Sequence, residues 1–232
     1  MTEKMRVNRY LSRNGVCSRR EADRMIEAGR VRIGGEIAVL GSVVGQSDEV
    51  FVDGVRVEAV NKDVVLAYNK PVGVICTTSD KERPNLNDAI DNGSRVFPIG
   101  RLDKDSSGLL LLTNNGLLAD ELMRSVNGHE KEYIVTTDKA MSTDIIRAME
   151  QGVPLKERMT KPCRIRDIED KSFHIILTEG MNRQIRRMCE YFGYRVIRLK
   201  RIRFATVALD DIAEGRYRIL NDEMIEELKN DR

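Results

Sequence analysis

The chain has 232 residues, a formal net charge of +2 and 41% hydrophobic residues, enough for one large or two small cores. Aromatic residues are only 5% and tryptophan is absent, so the core is aliphatic. No apolar stretch is long enough to span a membrane and no secretory leader is legible. Cys17, Cys76, Cys163 and Cys189 form no C-x-x-C pair, and only His129 and His174 could join them; this sets a metal site aside and points to a reducing, cytoplasmic setting with the cysteines as small buried hydrophobes.

The charge is unevenly spread. Met1 to Gly34 holds nine basic residues against four acidic, a local +5. In RVNRYLSR (6–13), Val7, Tyr10 and Leu11 share one helical face, and Asn14-Gly15 ends the helix. Ser18-Arg19-Arg20-Glu21 has the form of a capping box, in which the Ser18 hydroxyl and the Glu21 carboxylate satisfy free amides at a helix start. Ala22, Met25 and Ile26 give that helix its apolar face, and Gly29 stops it. The polar faces carry Arg9, Arg13, Arg19, Arg20 and Arg24. VRIGGEIAV turns at Gly34-Gly35, and VFVDGVRVEA is an alternating hairpin turned at Asp53-Gly54. Residues 1–60 thus form a small α+β module with one basic helical face, and AVNKD (59–63) is the linker.

From residue 64 to 232 strands predominate, with helices laid between them, as in an α+β domain around a mostly antiparallel sheet. VVLAYNKPVGVICTT predicts a strand, a proline turn and a second strand; PNLNDAI is a helix or loop. VFPI and LLLLT are strands flanking the loop GRLDKDSSG. LLADELMRSV is a helix with Leu118, Leu122 and Val126 inward. KEYIVTTD, CRIRDIE, SFHIILTEG, RVIRLKRIRF and YRIL are strands. STDIIRAMEQG is a helix stopped by Gly152, MNRQIRRMCEYFGY is one with Ile185, Met188, Cys189 and Phe192 inward, and NDEMIEELK is one capped by Asn221.

Three features bear on chemistry. Asp103 sits on a loop between two apolar strands, where function is often carried, although an acid there also serves simply to cap a turn. In NRQIRRM, Arg183, Arg186 and Arg187 fall at i, i+3 and i+4 and share a helix side. A guanidinium fork suits a carboxylate or a phosphate, so one of them could hold Asp103 ionised while its neighbours bind phosphates. Met181 to Phe204 adds eight basic residues against one acid, a second polyanion footprint of +7. Tyr133, mid-strand in KEYIV, offers a ring for stacking and a hydroxyl for proton transfer.

These residues carry a family resemblance. Arg6 to Val57, with SRREAD at 18–23, Ile26, Gly29 and Val31, resembles the S-four RNA-binding domain. From about Val65 to Leu220 the order NKPVG, GRLDKDSSGLLLLTNNG, KEYIV, EGMNRQIRRM and LKRIRF resembles the RsuA-type pseudouridine synthases of ribosomal RNA. Departures are small: Ser106 follows Asp105, and Met181 stands where a bulky or basic residue is common.

The resemblance implies a catalytic domain on a mixed, mostly antiparallel sheet flanked by helices. It implies isomerisation of a uridine in ribosomal RNA, the large subunit favoured, without cofactor; a monomer is the default expectation, since the sequence shows no dimer seam. Asp103 would be the essential carboxylate, either attacking the anomeric carbon or assisting a glycal, and Arg186 would pair with it. Tyr133 would stack on the flipped uracil and Leu199 would wall its other side. Arg101 would fill the gap left in the RNA stack. Asn182 and Gln184 would touch the substrate, and Arg183 and Arg187, with the N-terminal arginines, would meet phosphates. A non-catalytic RNA-binding assembly factor would explain the basic segments but not Asp103, Tyr133 and Arg186 together. A hydrolase using Asp103 with Asp105 would leave the arginines unexplained. Small-subunit RNA and transfer RNA stay open as substrates.

Overall fold

A computed structural model describes residues 4–58, 63–79, 81–90, 95–124 and 128–231. Val126 and most of the 59–63 linker lie outside the described residues. The chain divides into two compact units.

The first unit comprises the chain up to Val64 with Arg95–Val96 and residues 114–116. Its elements are β1 (Met5–Arg6), α1 (Val7–Arg13), α2 (Arg19–Glu27), β2 (Val31–Ile33), β3 (Glu36–Ile37), β4 (Val43–Val44), β5 (Val50–Val52) and β6 (Val55–Arg56). β1 pairs with β4, and the other strands form an antiparallel sheet in the order β3-β2-β5-β6. Val7, Leu11, Ala22, Met25 and Ile26 pack on Val31, Val44 and Val50, so the predicted helix faces are the core faces. At the β5–β6 turn Asp53 and Gly54 both have positive φ (49° and 80°), the type I′ geometry that matches strand twist. Ser18 caps α2 by accepting from the Glu21 amide at 3.2 Å. The other half of the expected capping box is replaced, because the Glu21 carboxylate pairs with Arg24 at 2.6 Å.

The second unit runs through β7 (Val65–Lys70), α3 (Leu86–Ala89), β8 (Phe97–Ile99), β9 (Ser107–Thr113), α4 (Gly116–Met123), β10 (Lys131–Thr137), α5 (Thr143–Glu150), β11 (Arg164–Glu169) and β12 (Ser172–Leu177). It ends with α6 (Gln184–Tyr191), β13 (Val196–Phe204), β14 (Val207–Ala208), β15 (Tyr217–Ile219) and α7 (Asp222–Asn230). A nine-stranded sheet is ordered β11-β12-β10-β13-β9-β7-β15, with β14 on β13 and β8 on β9. Among the described strand pairs of this sheet only β13–β9 is parallel; the sheet is therefore mixed and mostly antiparallel, in an α+β fold. α4 and α7 cover β7 and β9, while α5 and α6 cover β10, β12 and β13.

β9 is buried along its whole length, and Leu109 to Leu112 are wholly inaccessible. Each leucine contributes about 1.5–3 kcal/mol of burial, which fixes this strand as the floor for the loop before it. Gly108, at φ +99°, lies against the backbone of β13, where a Cβ would come within 2.2 Å of the Arg201 carbonyl oxygen. Only glycine allows that approach.

One predicted strand is absent. Val74 to Thr78 makes only a single bridge, Ile75 to Asn85. The backbone there is committed elsewhere: the Ile75 amide donates to Pro84 O (3.0 Å), Thr77 O accepts from the Leu86 amide (3.1 Å), and Val74 O accepts from the wholly buried Lys70 (2.9 Å), which also donates to Pro71 O (2.8 Å). NKPVG is thus a turn wrapped on its own ammonium. Burial drives the Lys70 pKa down, against the fields of Cys76, Asp105 and Asp103. All four cysteines are buried and unpaired, as expected of small hydrophobes.

Candidate active site

The loop from Gly100 to Ser106 leaves β8 and returns into β9, and three segments hold it. The Leu102 amide donates to Cys76 Sγ at 3.3 Å, and the Gly73 amide donates to Lys104 O at 2.7 Å. From α6, Arg186 Nη2 donates to Asp105 O (2.9 Å) and Ser106 Oγ (3.1 Å), and Nη1 donates to Val196 O (3.3 Å). The Ser106 amide closes the turn on Asp103 O at 3.1 Å. The Asp103 side chain is left about one-third exposed.

The cation beside Asp103 is Arg183, with Nη1 at 3.6 Å from Oδ2. Arg183 also grips Asp105 at two points, each 3.2 Å. This corrects the expected Arg186–Asp103 pair, for a local reason. α6 begins at Gln184, so Arg183 stands outside it as a left-handed N-cap residue (φ 48°). Its side chain therefore leaves the helical face that the i, i+3 spacing predicts. Arg186, 6% exposed, is instead buried against Asp105 and Ser106 as a clamp on the loop. Burial raises the Asp105 carboxyl, but the Arg183 hydrogen bonds and the Arg186 charge outweigh it and hold the pKa below its ordinary value.

A cavity of about 600 Å³ opens beside Asp103. Arg101, Asp103, Tyr133, Asn182, Gln184 and Leu199 all line it, together with Arg183; Arg186 and Arg187 do not. The sheet register explains the gathering: Tyr133 lies opposite Arg201 and Val135 opposite Leu199 on β10 and β13. Gln184 is buried with both ends in use, donating to Glu179 (2.8 Å) and accepting from the Met181 amide (3.0 Å). Asn182 is exposed at the rim. Arg187 pairs with Glu157.

In the first unit Arg19 and Arg20 are exposed and Arg9 is half-buried. Arg13 is paired with Asp63 at 3.1 Å and Arg24 with Glu21.

Sequence reading missed Lys131, Arg201 and Phe204, which line the same cavity. Period-two alternation was the available signal, since Lys131 precedes Tyr133 by two residues and Arg201 follows Leu199 by two. Burial, and then the charge of Arg201, bring the Lys131 ammonium down to about 8.

Residues 64–191 match the family model "RNA pseudouridylate synthase", and residues 5–50 match the S4 domain. The dual-specificity RNA pseudouridine synthase RluF of Salmonella typhi is 48% identical over 96% of this chain and 78% of its own. The ribosomal large subunit pseudouridine synthase B of Bacillus subtilis is 37% identical over 97% of this chain and 95% of its own. A crystal structure of a pseudouridylate synthase superposes with a TM-score of 0.71 at 29% identity, over 97% of this chain and 99% of that one. The chain belongs to the RNA pseudouridylate synthase family. Within it, this is an S4-containing pseudouridine synthase of the RsuA type, similar to RluF.

Proposed function

We propose that the enzyme isomerises one uridine of large-subunit ribosomal RNA, held in a stem-loop from which the base is flipped out. The carrying observation is that Arg101, Asp103, Tyr133 and Leu199 meet in one cavity with Arg183 beside the carboxylate. Asp103 acts on the ribose, either bonding to C1′ or assisting a glycal, and so must be reached as an anion. Arg183 supplies its counter-charge. Arg186 positions the loop through Asp105 and Ser106. Tyr133 stacks on the uracil opposite Leu199, and Tyr133 also moves the sugar proton. The Arg101 guanidinium takes the vacated place in the RNA stack. Asn182 contacts the RNA at the rim, and Gln184 holds the Glu179 segment in shape for it.

Arg9, Arg19 and Arg20 meet phosphates directly; Arg13, Arg24 and Arg187 do so by exchanging a protein carboxylate for a phosphate, and Arg183 by exchanging Asp105 while it keeps Asp103. The isomerisation is redox-neutral and needs no cofactor, and the enzyme works as a cytoplasmic monomer.

Pseudouridine mapping by carbodiimide-stop sequencing, in cells with and without the gene, tests the reading. Loss of one signal in large-subunit RNA is expected; an unchanged large-subunit pattern overturns that substrate. A second reading, with two RNA substrates, is favoured by the name "dual-specificity" carried by the relative at 48% identity. A transfer RNA signal lost in the same experiment would establish it.

A further inference from the structure

Tyr133 shares the cavity with two cations that the roles above leave unused. Lys131 and Tyr133 are alternate residues of β10, and Arg201 lies opposite Tyr133 on β13. All three line the cavity that holds Asp103. Lys131 Nζ donates to His129 O at 2.8 Å and lies 5.2 Å from the Phe204 ring centroid. The Arg201 guanidinium carbon lies 5.5 Å from the same centroid, and its Nε donates to Leu109 O at 2.6 Å. Among the described residues neither cation has a carboxylate partner. Arg201 is 2% exposed, and its buried Nη2 has no hydrogen-bond partner. Such a group is costly to keep unless something that enters the site uses it.

We propose that Lys131 and Arg201 form the site that holds the detached uracil as an anion. The inference rests on the uridine-isomerising function. Breaking the N1–C1′ bond leaves the bonding pair on the base, whose charge spreads over N1 and the two carbonyl oxygens. The base then turns, C5 bonds to C1′, the C5 proton leaves and N1 takes one up. That charge is absent from both uridine and pseudouridine. Cations aimed at it therefore speed the chemical step rather than tighten binding. Their low-dielectric setting, against Phe204 and, among the described residues, with no carboxylate in ion-pairing range, strengthens the effect. A phosphate would draw on the same cations equally in the bound RNA and in the transition state, and would show in affinity instead.

The test begins with wild-type enzyme on a fragment of the RNA identified by mapping. No turnover there would overturn the function itself. With an active wild type, Lys131→Gln should lower the single-turnover rate constant at saturating enzyme by about 10²-fold, the scale of losing one preorganised donor. The Kd for the fragment should stay within about twofold, given that the charge held is absent from bound substrate. Lys131→Arg should restore most of the rate, and added methylammonium should partly rescue Lys131→Ala. An unchanged rate constant with weakened RNA binding would overturn the proposal in favour of a phosphate contact. A slowed variant that neither arginine nor methylammonium restores, with a lowered Tm, would overturn it in favour of packing. Arg201 is the poorer probe because its Nε also ties β13 to Leu109.

Discussion

Asp103 is exposed enough to be reached and tethered enough to stay in place: its carbonyl closes the turn, and the neighbouring residues are held from α6 and from the NKPVG turn. Chemistry and binding should therefore separate at this residue. Asp103→Asn keeps shape and tether but removes the anion. Its single-turnover isomerisation should fall by about 10⁴-fold or more while the RNA Kd stays near wild type. Retained turnover would remove Asp103 from the mechanism. The loop position of Asp103 and the mid-strand position of Tyr133 were legible in the residues, whereas Leu199 came from the family resemblance alone; all three line one cavity. The exchange of Arg183 for Arg186 was not legible, since helical periodicity cannot register a left-handed residue one position before the helix starts.

On β10 the two faces do different work. Tyr133 and Lys131 line the cavity. Glu132, between them and 2% exposed, gathers Arg166 from β11 (2.6 Å), His174 from β12 (3.1 Å) and Arg203 from β13 (3.1 Å). Burial raises its pKa, but these three hydrogen bonds overcome that and bring it from 4.5 down to about 2. A carboxyl lowered on folding stabilises the native state above its unfolded pKa, and that stabilisation is lost as pH falls through the folded value. Wild type should thus lose stability between about pH 4.5 and 2. Glu132→Gln should be weaker at pH 7 by about 1.5–3 kcal/mol, the worth of a charge-assisted hydrogen bond. Its denaturation midpoint should also fall less steeply with acid; urea titrations at several pH values would check this, and equal slopes would argue against it. KEYIV read correctly as a strand, yet this network was invisible. Its cations lie on three other strands, whose register only the completed sheet defines. The missing strand after NKPVG has a like cause: a lysine beside a proline turn looks solvent-bound in sequence, but Lys70 turned inward and took the Val74 carbonyl at the start of that strand.

For the molecule as a whole, a net charge of +2 conceals two concentrated basic segments, and that much the sequence displayed. It did not display the parallel pairing of β13 with β9. Leu109 and Arg201 are 92 residues apart, and no local pattern announces a contact at that separation. That pairing brings the Asp103 loop to the start of α6, so the active site depends on it. The N-terminal arginines need no such long-range closure. Arg19 and Arg20 are exposed at the start of α2, whereas Arg13 and Arg24 already hold acids. A cation without a partner releases RNA counterions at full value, while a paired one must first give up its carboxylate. Replacing Arg19 and Arg20 together with alanine should therefore weaken RNA binding more than Arg13→Ala does. It should also flatten the plot of log K against log salt by about 1.4, taking roughly 0.7 for each single-strand phosphate contact. Filter binding from low to moderate salt measures both quantities. A weaker but equally steep line would mean that these arginines act on shape rather than on phosphates. An unchanged line would move RNA recognition off this helical face altogether, leaving the basic segment around α6 and β13 to supply the affinity.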